Sequence, residues 1–366
     1  MRSGTLKTLK MACMLLLTRN LCSVRGTSAM SSTARSIRRC VKLFTHDNYE
    51  IQLPAAHRFP VKKYRMTRDI LKSEYADEER LVWGDSPQVT REELVLTHCE
   101  GYVDRYLQGE MTPLEIRRQG FPWTPESVDR SLRIVGGTVA ATRAVLSDDT
   151  VCIAGNIAGG THHAFHAYGE GFCIFSDIAV AANLALREFP TVRRVLIIDL
   201  DVHQGNGNAK LFQEDPRVFT FSMHCRENYF SEKQQSNIDI ELEGGMGDAE
   251  YLSKLKTWLP YLFHSVQPDL VFFQAGVDIY EGDRLGKLKV SRRGLQQRNQ
   301  LVFQYLQRRG VSCVVTMGGG YPKDLDPSSG PFTELLQNHA DVYRCMLTTH
   351  LSHPSHLTHP SEGATL

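Results

Sequence analysis

The sequence predicts an α/β fold of three layers, with a central, mainly parallel sheet covered by helices on both faces. Two observations carry this. From about residue 47, short apolar runs alternate with longer stretches of helical periodicity, the pattern of βαβ units. Every unusual polar cluster falls at or just after the end of an apolar run, and open parallel sheets build their sites beyond the carboxyl ends of strands.

In chain order, the stretch Ser127–Leu146 predicts a helix with Ser127 as its N-cap. The run Thr150–Ala154 reads as a buried strand, and Asp177–Glu188 as the next helix. Arg194–Asp199 and Arg217–Met223 read as strands. Ala249–His264 is helical in period, Asp269–Ala275 a strand, Ser291–Arg309 a helix and Ser312–Met317 a strand. No repeat of fixed period is present in this body.

Composition limits the function classes. Of 366 residues, 42% are hydrophobic and 23% charged, which excludes a wholly disordered, collagen-like or small disulfide-rich chain. The formal net charge of +1 is unevenly spread. Residues 1–46 hold nine Lys/Arg and no acid, leaving 33 basic against 41 acidic residues beyond them. A body of that sign does not suit a nucleic-acid grip. Nine scattered cysteines with no CxxC pair argue against a zinc ribbon or a disulfide framework, and Cys152 and Cys313 read as small core residues. No apolar run approaches the 18 or so residues of a membrane span.

The chain divides into a basic extension (1–46), a folded body (47–348) and a His/Pro/Ser tail (349–366). The extension has the composition of an organelle transit peptide, which places the protein in the mitochondrion. A start at Met30 would instead leave it cytoplasmic. Met11–Leu17 is too short, and too soon followed by Arg19, for a secretory signal. The tail, with His350, His353, His356 and His359, reads as disordered rather than metal-binding.

Four strand ends carry the chemistry. Thr150–Ala154 leads to Gly159-Gly160-Thr161-His162-His163, and Arg194–Asp199 into Asp199-Leu200-Asp201-Val202-His203. Asp269–Ala275 leads to Gly276-Val277-Asp278, and Ser312–Met317 to Gly318-Gly319-Gly320-Tyr321. Asp201 and His203 are two apart on extended chain, so both can face one side. With Asp278 they make a three-ligand set for a borderline cation such as zinc, with a fourth position open. Taken alone, Asp-x-His is equally a buried polar pair, and a His pair or a Gly-rich turn is usually structural. Together, an imidazole that can act as base and then acid, and a phenol that can face an oxyanion, point to hydrolysis at a carbonyl.

These segments resemble the zinc-dependent histone deacetylase family, of the arginase/deacetylase fold. The matching text is GGTHHAFHAYGEGFCIFSD (159–177), IIDLDVHQGNG (197–207), QAGVDIYEGDRLG (274–286) and GGGY (318–321). The resemblance runs from about His57 to Asp324, and its wording is most similar to class IV deacetylases and their bacterial relatives. Class I and II members usually carry Asp where this chain has Asn206.

The resemblance implies zinc ligands at Asp201, His203 and Asp278. It implies a general base and acid at His163, a supporting histidine at His162 held by Asp199, and a carbonyl-polarising phenol at Tyr321. Gly171 and Phe172 match the wall of a narrow acyl-lysine tunnel, faced by Tyr229 or Phe230. Ser222 and Met223, with Asp199, Asp201 and His203, match a structural potassium site. Asn206 stands behind His163. The implied activity is zinc-dependent hydrolysis of N6-acyl-lysine in a protein or peptide, of acetyl or of longer fatty acyl chains. Rivals are an acetylpolyamine-type amidohydrolase, an arginase-like dimetal hydrolase, which would need a carboxylate where this chain has Asn206, and a non-catalytic scaffold. No heptads or interface patch stand out, so the expected state is a monomer.

Overall fold

Among the described residues, eight strands, all parallel, form one sheet in the order β2-β1-β3-β8-β7-β4-β5-β6. They are β1 (Cys40–Thr45), β2 (Leu81–Asp85), β3 (Val151–Asn156), β4 (Val195–Asp199), β5 (Val218–Cys225), β6 (Ile238–Leu242), β7 (Leu270–Gln274) and β8 (Ser312–Thr316). This computed structural model describes residues 39–228 and 232–351. Strands β4 and β7 are buried at every residue, as continuous apolar runs in a doubly covered parallel sheet must be.

The helices are α1 (Lys63–Glu74), α2 (Arg91–Leu94), α3 (Glu100–Gln108), α4 (Pro113–Gln119), α5 (Pro125–Ser147), α6 (Asp177–Glu188), α7 (Asn206–Leu211), α8 (Asp248–Val266), α9 (Arg292–Arg309) and α10 (Gly330–Leu351). Helices α5 and α6 pack together, with α5 on β1, β3 and β8. A second group packs α10 against α1 and α9, and α9 against α8. The architecture is the three-layer α/β sandwich that the alternating sequence predicts.

Several boundaries differ from the sequence reading. Ser127 is not the cap of α5: Thr124 is, with Pro125 in the first turn. The Thr124 side chain accepts from the Ser127 N–H, while Ser127 Oγ accepts from the Thr124 N–H at 2.9 Å. Proline has no N–H to lose at a helix start, so the capping box forms three residues earlier than predicted. Ser291 does cap α9, accepting from the Gly294 N–H at 3.1 Å. The sheet begins at Cys40, inside the segment read as extension, because Val41, Leu43 and Phe44 are buried in the core and β1 pairs with β2 and β3. At the other end α10 runs past residue 348 to Leu351, and His350 Nδ1 bonds the Met346 carbonyl within that helix. His353, His356 and His359 lie outside the described residues. Cys313 is fully buried as expected, whereas Cys152 is half-buried, its thiol donating to the Cys40 carbonyl.

What positions the site is register. Asn156 pairs with Thr316, Thr316 with Gln274, Gln274 with Asp199 and Asp199 with Ser222. The strands that precede the four polar clusters are therefore neighbours and end on one row. Their loops leave the sheet side by side.

Candidate active site and metal centre

Asp201 and His203 leave the end of β4, and Asp278 leaves β7 beside it. One ligand atom from each lies within 4.8 Å of the others. His203 Nδ1 is 3.1 Å from Asp201 Oδ1 and 3.1 Å from Asp278 Oδ2. Both carboxylates are buried. Their outer oxygens are held by backbone: Asp278 Oδ1 accepts from the Val202 N–H at 2.9 Å, and Asp201 Oδ2 from the Gly319 N–H at 2.8 Å. Gly319 must lack a side chain, since a Cβ there would lie 2.1 Å from Asp278 Oδ2.

Two buried carboxylates beside one imidazole are short of positive charge. Burial and the neighbouring Asp201 push the Asp278 carboxyl up to about 6. Burial alone would lower His203, but its bonds to Asp201 and Asp278 outweigh it and raise the imidazole to about 10. A cation placed there would relieve both groups. Two carboxylate oxygens and one imidazole nitrogen, converging with one side open, fit zinc.

His162 and His163 follow β3, their rings 4.0 Å apart. His162 Nδ1–H donates to Asp199 Oδ2 at 2.7 Å. Burial opposes the charged ring, yet the Asp199 and Asp201 carboxylates raise His162 to about 9. His163 Nδ1–H donates to Asn206 Oδ1, also at 2.7 Å. With burial and two neighbouring imidazoles against it and only a neutral amide behind it, His163 is held well below the ordinary histidine value. One ring is thus set to carry charge and its neighbour to stay a free base.

Tyr321 enters from the loop after β8. Asp283 Oδ2 accepts from the Tyr321 N–H at 2.6 Å, and the Arg284 N–H donates to the Tyr321 carbonyl at 2.8 Å. The phenol is buried, and burial followed by Asp278 and Asp201 keeps it protonated far above the usual range. A protonated phenol beside the metal pocket is a hydrogen-bond donor.

Phe172 forms a wall with Phe59, ring centroids 5.3 Å apart, and lies 6.0 Å from the Tyr321 ring. Its φ of 67° is in the left-handed region, rare for a side chain of this bulk. Gly171 and Phe172 are fixed there by N–H bonds to the Arg118 and Gln119 carbonyls. Tyr229 and Phe230 lie outside the described residues. Of the residues matched to potassium binding, Ser222 sits in register beside Asp199, and its hydroxyl meets His224 Nδ1 at 3.0 Å. Met223 follows it, buried.

Sequence reasoning missed several residues that complete this site. Lys63 on α1 is buried, and its Nζ donates to the Gly318 carbonyl at 2.9 Å. Burial pushes that ammonium down to about 8, partly offset by Asp278 and Asp201. Arg298 on α9 is fully buried and donates to the Gly276 and Ala275 carbonyls, fixing the strand end that carries Asp278. His57 and Phe121 stack beside the Phe59–Phe172 wall. None of these stands in a motif of its own. The Asp283–Tyr321 bond had a signal, because both residues lie in matched text, but their pairing is a tertiary fact.

Residues 57–330 match the family model for the histone deacetylase domain. An uncharacterised protein of Picosynechococcus is 43% identical over 82% of this chain and 96% of its own length. Histone deacetylase 2 of Arabidopsis thaliana is 31% identical over 77% of this chain and 75% of its own. The crystal structure of the HDA15 HD domain superposes with a TM-score of 0.67 at 20% identity, covering 86% of this chain and 96% of that one, and shows the shared fold. With more than half its length matched by the family model, and with relatives of this identity and coverage, the chain belongs to the histone deacetylase family.

Proposed function

We propose that the protein hydrolyses the amide of N6-acyl-lysine in proteins or peptides with the help of a zinc ion. The observation that carries this reading is the meeting of four loops in one buried pocket. They bring a cation-seeking Asp201–His203–Asp278 set, a neutral His163 beside a charged His162, and a protonated Tyr321 phenol.

A bound zinc ion supplies Lewis acidity to the amide carbonyl and to water. The protein supplies the rest. His163 accepts the proton of the attacking water and returns one to the lysine nitrogen, without which the amine cannot leave. His162, charged and held by Asp199, stabilises negative charge that develops beside it. Tyr321 donates to the oxyanion, a contact that strengthens only as the carbonyl becomes tetrahedral. Phe59 and Phe172 line a passage that suits the methylenes of a lysine stem. Outside it, exposed Arg118 lies over Tyr168 with its guanidinium 4.5 Å from the ring centroid, next to Gly171.

The finer features belong to the same proposal. Asn206 behind His163 supports a class IV-like enzyme. The Asp199–Ser222 register, with Met223 following, supports a structural potassium ion. The basic extension supports a mitochondrial location, and a monomer accords with the sequence. Acetyl and long fatty acyl groups are both candidate leaving chains.

The test is a single lysine peptide carrying acetyl, octanoyl, dodecanoyl or myristoyl. Hydrolysis of at least one supports the proposal, and the ranking names the chain. Cleavage of acylated small amines but of no peptide overturns it.

A further inference from the structure

His339 on α10 is fully buried, and neither of its ring nitrogens has a hydrogen-bond partner among the described residues. Buried polar groups are nearly always partnered, so an exception asks for a reason. Burial, and then the positive charges of Lys63 and Arg298, hold the imidazole far below its ordinary value, so the ring is uncharged.

Its neighbour supplies the reason. A Cβ on Gly320 would lie 2.7 Å from His339 Nε2, 2.7 Å from Leu335 Cδ1 and 2.8 Å from Val277 Cγ2. Leu335 and His339 are one turn apart on α10, so one helix face presses on this glycine. The flanking residues are tied by hydrogen bonds. Lys63 holds the Gly318 carbonyl, the Gly319 N–H donates to Asp201, and the Val277 N–H donates to the Gly319 carbonyl at 2.8 Å. Tyr321 is tied by Asp283 and Arg284. Gly320 is held by packing, and its φ of 154° sets the direction in which the next residue leaves the loop.

We propose that His339 is a positioning residue for Tyr321. It is a flat, uncharged wedge beneath Gly320 that fixes where the phenol enters the pocket. A planar ring can sit edge-on against backbone where a branched aliphatic side chain would need more room. Its consequence for turnover rests on the hydrolase reading above, whereas its consequence for the place of Tyr321 does not.

The test uses the full chain labelled with 3-fluorotyrosine. The fluorine resonance missing from Tyr321→Phe belongs to Tyr321. In His339→Ala that line shifts or broadens. In His339→Phe, which refills the space, it stays near its original place. In Met346→Ala, a cavity at a fully buried residue further along α10, it does not move. If His339→Ala does not fold, the smaller polar His339→Asn carries the test and must also move the line. In kinetics, His339→Ala lowers kcat about tenfold at nearly constant KM, and the same change in a Tyr321→Phe background costs under about twofold. An unmoved Tyr321 line, or an equal loss in both backgrounds, overturns the proposal. If the line moves while the wild-type chain cleaves no acyl-lysine peptide, positioning stands and the reaction was misassigned. If peptides are cleaved and the line stays still, the reverse holds.

Discussion

Asp283 holds Tyr321 by its backbone, not by its hydroxyl: Oδ2 accepts the Tyr321 N–H at 2.6 Å. The other oxygen, Oδ1, accepts from the Leu285 N–H at 2.7 Å and the Gly286 N–H at 2.9 Å. One carboxyl thus joins the loop after β7 to the loop after β8. Asp283→Ala strands three backbone donors, each costing about 1–3 kcal/mol if left buried and unpaired. We expect kcat to fall by about tenfold or more, with a smaller change in KM, and the folded state to be weakened. Steady-state kinetics beside a urea melt checks both. An unchanged kcat in a folded variant contradicts the link.

Burial and the neighbouring imidazoles lower His163, and Asn206 is the neutral partner behind it. An amide oxygen supports the Nδ1–H without adding charge. Asn206→Asp places an anion there, which favours the imidazolium and raises the pKa. The acid limb of the pH–rate profile therefore moves to higher pH. A profile that stays in place shows that His163 is not the group being titrated.

Metal binding should release a proton. Without a cation His203 is raised to about 10 and Asp278 to about 6. At pH 7.5 the imidazole must lose its proton to become a ligand, while Asp278 has already ionised. Zinc affinity then rises about tenfold per pH unit between about pH 6 and 10, and more steeply below pH 6. Calorimetric zinc titration in two buffers of different ionisation enthalpy measures the proton count. A count of zero contradicts the ligand assignment.

His98 gives the fold a pH dependence independent of the site. Its Nε2 accepts the Ser176 N–H at 3.0 Å, and its Nδ1–H donates to the Phe165 carbonyl at 2.9 Å. Burial lowers it to about 4 from an ordinary 6.5. Between those values the unfolded chain binds the proton and the folded chain does not, so stability rises with pH and is lost as pH falls from 6.5 toward 4. The full effect is about 3 kcal/mol. His98→Gln, compared with wild type in urea melts at pH 7.5 and 5, should show the smaller drop on acidification. Equal drops contradict the assignment.

The parts legible in the sequence are those whose signal is local. Strands β4, β7 and β8 are uninterrupted apolar runs, and each of their polar ends carries chemistry-bearing residues at short spacing. Strand β1 was hidden because Lys42 interrupts it and a basic stretch precedes it; its ammonium lies over the Phe44 ring at 5.3 Å. The edge strands β2 and β6 are only partly buried, and neither carries an apolar run longer than Leu81–Trp83. Lys63, Arg298 and His339 were invisible for another reason. They sit on helices whose periodicity marks them as ordinary polar positions, and only the packing of α1, α9 and α10 against the loops buries them at the site.

The most direct measurement is zinc stoichiometry and acyl-lysine peptide hydrolysis on the same preparations of wild type, Asp278→Ala and Tyr321→Phe. The account predicts one zinc and turnover in the wild type. It predicts loss of both in Asp278→Ala, and retained zinc with a loss of about a hundredfold or more in kcat for Tyr321→Phe. Full turnover in Tyr321→Phe, or turnover in Asp278→Ala after zinc is lost, would contradict it.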